Sequence, residues 1–318
     1  SLKAAQVYEE KIGPPERAFR AYERVLEVDA GNCKAAEALA RIYESQEDWK
    51  ALVRVLTVLY GQAETPEEKL PVGRRLVDLY ADRIRETARA LEWARKCYEL
   101  APTDGDVVAA LELYAEELGA FEDLLRLFEA RLPAAAVEEK IDLWRRIAGL
   151  QAARLGDVDA AIETYRKLLR ERPSAVEAVQ SLETLLQSSG KLDLLAGFYR
   201  ERLDEAEDDE PRLAWLLKLA ALLDEGLDRS DEAVETYLEV LKIDADQPAA
   251  LDALERIYAV TNRPRDLASI LRRKRSKAEG EARRDLTFRL GQLYAGPLSD
   301  DELAIESFIR LCGVSAIV

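Results

Sequence analysis

The chain has 318 residues and a formal net charge of −16, with 48% hydrophobic residues and few glycines or prolines. The apolar content excludes an intrinsically disordered chain. The acidic excess argues against nucleic acid as a partner, because a duplex binder gains affinity by neutralising phosphates. With no histidine and only three well-separated cysteines, Cys33, Cys97 and Cys312, neither a zinc site, a disulfide framework nor an imidazole-based catalytic centre is expected.

Other signatures of chemistry or targeting are also absent from the sequence. No glycine-rich phosphate loop or dinucleotide fingerprint occurs, so we expect no enzyme activity, no metal and no cofactor. The apolar runs are too short for a membrane span, and no signal peptide begins at Ser1. We therefore expect a cytoplasmic protein without membrane insertion. Its Ala, Arg, Leu and Glu bias favours a bacterial origin, whereas the absence of Met and His has no explanation.

A repeated helical segment is the strongest pattern in the chain. Its copies begin 72, 71, 72 and 71 residues apart, at Ala18, Ala90, Ala161, Ala233 and Ala304. Apolar residues recur within them at i, i+3, i+4 and i+7, as one-sided helices require. A second helical segment follows each of the first four copies, so each period holds two helical hairpins. We place the repeat units at residues 1–69, 70–140, 141–212, 213–284 and, in part, 285–318.

Short motifs in these segments carry a family resemblance. Leu290-Gly291-x-x-Tyr294 and Trp144-x-x-Ile147-Ala148 match the first helix of a tetratricopeptide repeat, and Pro102 and Pro173 stand at its closing proline position. The chain therefore resembles the tetratricopeptide repeat family along essentially its whole length. The resemblance implies an all-α, right-handed α-solenoid of about nine antiparallel helix hairpins, whose first helices line a superhelical groove.

The spacing departs from the family in one consistent way. Tyr8 and Ala18 are ten residues apart, as are Tyr80 and Ala90 and Tyr294 and Ala304, which is one residue more than in the family. We therefore predict that the turn inside these hairpins is one residue longer. The four tryptophans, which are spread along the chain, are expected in the core.

Carrying the family's groove positions onto the first helices gives candidate partner-binding residues of both signs. They are Lys34, Glu37, Arg41, Glu44, Glu116, Asp142, Arg145, Glu177, Gln180, Asp224, Asp252 and Arg256. The set contains no Lys/Arg clamp for a peptide carboxylate. For each member, an ordinary solvated helix face is the competing interpretation.

Two charge runs stand apart from this set. A basic patch comprises Arg272, Arg273, Lys274 and Arg275. It either ends a helix, where the helix dipole favours cations, or docks an acidic partner. The acidic run at residues 205–210 is expected in a solvated helix junction.

These features predict a protein-interaction scaffold that binds partner segments in its groove within a larger assembly. The partners are other proteins, with basic segments as one alternative, and self-association through the array ends is another. A peptide-responsive regulatory sensor and an engineered repeat scaffold are the competing functions. Because the pattern begins inside a helix and ends in an apolar tail after Leu311, we expect a fragment of a longer array. A targeting segment of that longer protein would not be visible here.

Overall fold

The computed structural model describes Leu2 and residues 15–311, and these residues form 17 α-helices and no strand. Helices α1 to α9 are Pro15–Val28, Cys33–Ser45, Trp49–Gln62, Pro66–Asp78, Thr87–Leu100, Gly105–Leu118, Phe121–Arg131, Val137–Ala153 and Val158–Glu171. Helices α10 to α17 are Val176–Ser188, Leu192–Glu205, Asp209–Ala221, Ser230–Ile243, Pro248–Val260, Pro264–Lys277, Gly280–Ala295 and Asp301–Leu311. The predicted all-α repeat solenoid is thereby confirmed. The predicted apolar tail lies outside the described residues.

Local sequence signals set the helix starts. Asn32, Asp48 and Asp157 each accept a hydrogen bond from a backbone N–H of the first turn that follows them. Thr65 forms a capping box with Glu68 and is followed by Pro66 at the first helical position. These side chains satisfy amide groups that have no partner inside the helix, so the breaks between helices fall at these residues.

From α2 onward, the helices alternate between the first and the second member of a hairpin. The first helices are α2, α4, α6, α8, α10, α12, α14 and α16. The contacts divide the chain into two compact units, an N-terminal unit of residues 1–179 and a C-terminal unit of residues 180–318. Within the N-terminal unit, successive helices pack on each other from α1 through α9. In the C-terminal unit, successive helices do so from α11 through α17.

Alternate hairpins close by different turns. In four of them, the N–H of Glu86, Asp157, Arg229 or Asp300 reaches back six residues to a backbone carbonyl. In the others, which include the turns at Asp48, Ala120, Lys191 and Arg263, the bond spans five residues. The six-residue closure contains the extra residue that the ten-residue spacing predicts, so the prediction is confirmed for the hairpins that begin with Tyr80 and Tyr294. The turn between Tyr8 and Ala18 lies outside the described residues. The longer closure also gives the two hairpins of each period different geometry.

A left-handed residue precedes the closing N–H in both kinds of turn, and in the shorter turns it is Glu47, Gly119, Gly190 or Asn262. In the longer turns the same position is held by one glycine and three other residues. Gly156 has φ +69°, and Arg85, Asp228 and Ser299 have φ between +50° and +62°. The helices before Arg85 and Asp228 end in π-helical turns, Leu79–Ile84 and Leu222–Gly226. Non-glycine residues disfavour this region because their Cβ approaches the following carbonyl. The non-glycine residues at this position therefore carry a local cost in three of the longer turns, as Glu47 and Asn262 do in two of the shorter ones.

Small alanines and leucines make the core. The alanine that opens each repeat copy is buried, from Ala304 at 4% and Ala18 at 3% exposed to Ala90, Ala161 and Ala233 at 0%. Small side chains at these positions let the helices of a hairpin approach closely, while leucines and aromatic rings fill the space between hairpins. The core is therefore continuous along the stacked hairpins of each compact unit, as a repeat array requires.

Candidate functional site

The exposed sides of the first helices form a surface that we call the A-face. Ion pairs join it from one first helix to the next, across 31 to 38 residues of sequence. Because such a pair needs the two side chains within about 4 Å, these contacts place the predicted groove residues of neighbouring first helices side by side. They also show that much of their charge is already paired within the chain.

In the N-terminal unit, the pairs run from α2 to the start of α10. Arg75 on α4 contacts Glu44 on α2 at 2.5 Å. Arg154, beyond α8, pairs with Glu116 on α6. Arg145 on α8 contacts Asp142 at 3.1 Å and Glu177 at 3.6 Å, and so brings three of the predicted residues together. These pairs are largely exposed, and each contributes about 0–1 kcal/mol.

The C-terminal unit repeats the arrangement with one buried member. Arg256 on α14 covers Asp224, which lies in the π-helical turn that follows α12. The Asp224 side chain is only 5% exposed. Asp224 therefore belongs to the contact between two first helices and is not presented to a partner. Asp252 is exposed and contacts Lys274 at 2.6 Å.

The remaining groove candidates stay at the surface. Lys34, Glu37 and Arg41 are exposed along one side of α2, and Gln180 is exposed on α10. Within the described residues, Glu37 and Gln180 make no ion pair or side-chain hydrogen bond. Partner binding at these positions stays a prediction.

The basic patch is split by its internal contacts. It lies in α15, which ends at Lys277, with Lys274 and Arg275 in its last turn. Lys274 donates to Asp252 and, at 2.5 Å, to Glu255. Within the part of the chain that the structure describes, Arg272, Arg273 and Arg275 form no ion pair. The cations thus stand at the helix C-terminus, where the dipole favours them, and three of the four remain for other contacts.

Glu255 joins two helices to α14. It accepts from Lys274 on α15 and from Arg289 on α16, each at 2.5 Å, and its side chain is 15% exposed. Burial raises the pKa of Glu255, but the hydrogen bonds and charges of Lys274 and Arg289 outweigh burial and hold the pKa below its ordinary value. Glu255 therefore stabilises the C-terminal unit in its ionised form.

The tryptophans are less buried than the sequence pattern predicts. Trp93 is in the core at 6% exposed, but Trp49, Trp144 and Trp215 are only half-buried. Two of these rings carry a cation, since Arg83 lies 5.1 Å from the Trp49 centroid and Lys218 lies 4.9 Å from the Trp215 centroid. The indoles therefore shield the edge of the core and use their faces for cation–π contacts.

A polar–aromatic network surrounds Trp215. Its ring packs 5.8 Å from that of Tyr199, whose hydroxyl donates to Glu183 at 2.5 Å. Lys218 donates to the same carboxylate at 2.8 Å. Burial and the neighbouring Glu183 raise the pKa of Tyr199 above its ordinary value. The carboxylate, the phenol and the ammonium satisfy one another, so the network acts as a rigid tie between α10, α11 and α12.

Two cavities open in the N-terminal unit. One, of about 190 Å³, lies between α4, α5 and α6 and includes Asp78, Cys97 and Asp106 in its lining. The other, of about 80 Å³, adjoins Tyr98, whose hydroxyl is buried without a hydrogen-bond partner among the described residues. Burial and the nearby Glu139 raise the pKa of Tyr98 to about 12, so the phenol stays neutral.

Sequence reasoning missed the residues of the larger cavity. Cys97 gave no signal because an isolated cysteine in a helix is usually an ordinary core residue. Asp78 lies within the repeat pattern and differs in no visible way from other helical carboxylates. Only the stacking of three helices shows that they share a cavity.

The described residues contain neither a metal-binding cluster nor a membrane-spanning helix. Across residues 15–311, no cluster of three or more Cys, Asp or Glu side chains has an arrangement that could hold a metal ion. Over the same residues, no helix combines the length and the apolar character that crossing a bilayer requires.

Two segments of the chain match a known repeat family, and each falls on a helical hairpin. The sequence profile of the tetratricopeptide repeat matches residues 35–70, which include α2 and α3, and residues 144–175, which include most of α8 and all of α9. No curated protein matches the chain by sequence.

Several solved structures are similar to this chain at low identity. The Naa15/Naa10 complex bound to HypK-THB matches at 14% identity and a TM-score of 0.40, over 99% of this chain and 53% of that chain. YrrB, described as a tetratricopeptide protein with an unusual peptide-binding site, matches at 15% identity and a TM-score of 0.34, over 58% and 94% of the two chains. A tetratricopeptide repeat protein from Parabacteroides merdae matches at 13% identity and a TM-score of 0.33, over 78% and 94%.

The family assignment rests on the two profile matches, because each falls on a helical hairpin of the structure. The hairpins between and beyond them repeat the same pattern of small residues in their second helices, as Ala90 and Ala233 show. The chain is a repeat protein of the tetratricopeptide family, a class of protein-interaction scaffold.

Proposed function

We propose that this chain is a non-catalytic scaffold that holds a segment of a partner protein against the A-face. The observation that carries the proposal is the ordered array of charged side chains on successive first helices. Ion pairs such as Arg145 with Asp142 and Glu177 restrict these side chains before any partner binds. A preorganised surface loses less side-chain entropy on binding, so more of the contact energy appears as affinity.

The charge of this surface favours partners of mixed or basic character. Exposed carboxylates such as Glu37 and Asp142 alternate with cations such as Lys34 along the A-face of the N-terminal unit. Complementary charges chiefly set the orientation and the association rate of a bound segment. A cytoplasmic setting within a larger assembly is part of the same proposal.

A peptide-display selection on the full chain tests it. Peptides of random sequence are selected on the purified protein, and their affinities are measured for wild type and for two variants that each lose two exposed carboxylates. The A-face variant is Glu37→Ala with Asp142→Ala. The control is Glu129→Ala with Glu163→Ala on the second helices α7 and α9.

The two variants are matched in charge and in the contacts they lose. Asp142 pairs with Arg145, and Glu163 pairs with Arg166, each across three residues of one helix. We expect the A-face variant to lose at least about fivefold in affinity, which corresponds to roughly 1 kcal/mol, while the control binds like wild type. Failure to recover any binding peptide, or equal losses in both variants, would overturn the proposal.

A further inference from the structure

The larger cavity of the N-terminal unit has apolar walls and an acidic rim. Val77 and Val107, which are 4% and 3% exposed, together with Ala94 and Ala110, form its walls, and the Cys97 thiol lies in its lining. Burial raises the pKa of that thiol to about 11, so it is a neutral group. The volume of about 190 Å³ is below the roughly 300–1,000 Å³ of sites for drug-sized ligands. The cavity therefore suits one inserted side chain.

The charges at the rim do not balance. The cation among the lining residues is Arg74, and it is held by Asp104 and, at 3.7 Å, by Asp106. Asp78 makes no ion pair or hydrogen bond with any described residue. Partial burial and the nearby Asp82 raise its pKa, and Arg74 only partly offsets them. The rim thus presents a carboxylate that a cation would stabilise.

We propose that this cavity binds a lysine side chain of the partner segment, with the stem between Val77 and Val107 and the ammonium at Asp78. This inference rests on the proposed function and deepens it. Lysine fits better than arginine because its compact charge on a four-carbon stem needs one carboxylate and an apolar channel. An arginine would need a carboxylate placed for its planar fork, and Asp104 and Asp106 already hold Arg74.

Gly73 lies against Cys97, one of the residues that line the cavity. A Cβ at this position would lie 2.7 Å from Cys97 Sγ, so helices α4 and α5 approach too closely for any side chain there. The absence of a side chain at Gly73 therefore leaves room for the Cys97 thiol.

The first test uses small probes on the full chain and needs no partner. n-Pentylammonium reproduces the lysine stem and charge, and 1-hexanol is a neutral control of similar length. Binding is followed by the backbone amide NMR signals of Ala94, Cys97, Val107 and Ala110. We expect both probes to shift these signals, with n-pentylammonium binding about fivefold more tightly, as a partly exposed charge pair allows.

Two variants assign the site. Asp78→Asn should abolish the preference for n-pentylammonium and leave 1-hexanol unchanged. Ala110→Leu fills the cavity and should weaken both probes, whereas Asp142→Asn, on the same face in α8, should affect neither. Equal binding of the two probes to wild type, or shifts that Ala110→Leu does not reduce, would overturn the inference.

The second test separates this inference from the proposed function. Among peptides recovered by the A-face selection, a lysine replaced by norleucine should lower affinity for wild type about fivefold and leave affinity for Asp78→Asn unchanged. If peptides bind the A-face but neither contain lysine nor respond to Asp78→Asn, the scaffold proposal stands and the lysine site is wrong. If no peptide binds, the scaffold proposal fails, and the probe titration alone decides whether the cavity takes a lysine.

Discussion

Gly73 offers the sharpest test of how the hairpins pack, because two opposing effects act at one atom. Glycine within a helix costs about 0.5–1 kcal/mol relative to alanine, so Gly73→Ala in α4 should stabilise the helix itself. The added Cβ, however, would lie 2.7 Å from Cys97 Sγ and 3.4 Å from Tyr60 Cε2. Cys97 is 1% exposed, so relieving this overlap requires a core side chain to shift, and overpacking should cost about 1–3 kcal/mol.

Gly149 provides the matched control. It also lies inside a first helix, α8, but nothing stands within 4 Å of the position its Cβ would take. Gly149→Ala should therefore raise the free energy of unfolding by about 0.5–1 kcal/mol. Since the helix gain is common to both, the two variants should differ by about 1–3 kcal/mol, with Gly73→Ala the less stable.

The assay combines denaturation with local exchange. Urea unfolding followed by circular dichroism gives the global change, but repeat arrays depart from two-state behaviour as they lengthen. Native-state hydrogen exchange of the α4 and α5 amides therefore supplies the local free energy. In a Cys97→Ala background the clash disappears, and Gly73→Ala should become stabilising. A Gly73→Ala variant as stable as Gly149→Ala, or one that Cys97→Ala does not rescue, would refute this account of the packing.

Three further outcomes follow from the described contacts. Arg85→Gly should stabilise the protein by up to about 1 kcal/mol because φ is +62° there, while Gly156→Ala should destabilise it by a similar amount; thermal unfolding measures both. The pKa of Glu255 is lower in the folded than in the unfolded chain. The stabilisation that ionised Glu255 provides is therefore present above the unfolded pKa and is lost as pH falls through the folded value. Glu255→Gln should reduce the drop in the free energy of unfolding that occurs below about pH 5. In a variant without Cys312, a thiol reagent at pH 8 should label the exposed Cys33 at once. Cys97 is buried and its pKa is raised to about 11, so it should be labelled only on unfolding. Mass spectrometry of the labelled protein measures both.

The sequence was sufficient to predict the helices and their alternation. Ala90 and Ala161 mark second helices by their spacing alone, since a small residue recurs wherever two helices must approach. The longer turn could also be predicted from the ten-residue separation of Tyr80 and Ala90. Its mechanism could not, because Arg85 carries no glycine signal for the left-handed conformation that the turn adopts.

Whether each site residue is exposed, paired or buried depends on contacts between helices, and the sequence pattern does not contain those contacts. Asp224 and Asp252 are both groove candidates from the sequence, yet the first is buried beneath Arg256 and the second is exposed. The difference arises from the stacking of α12 and α14, which sets which side chain the arginine reaches. Trp215 was expected in the core for a similar reason, because periodicity predicts the buried side of a helix but not how far a large ring extends beyond it.

The net charge of −16 is therefore a poor guide to what the surface attracts. Carboxylates such as Glu44 and Glu116 are matched by arginines of the next first helix, and their field is largely cancelled at short range. A partner meets the carboxylates that are not paired within the chain. Asp78 is one of them, because Asp104 and Asp106 already hold Arg74. If the lysine site exists, binding should weaken with salt about as expected for one ion pair, and not with the steep dependence that sixteen uncompensated charges would produce.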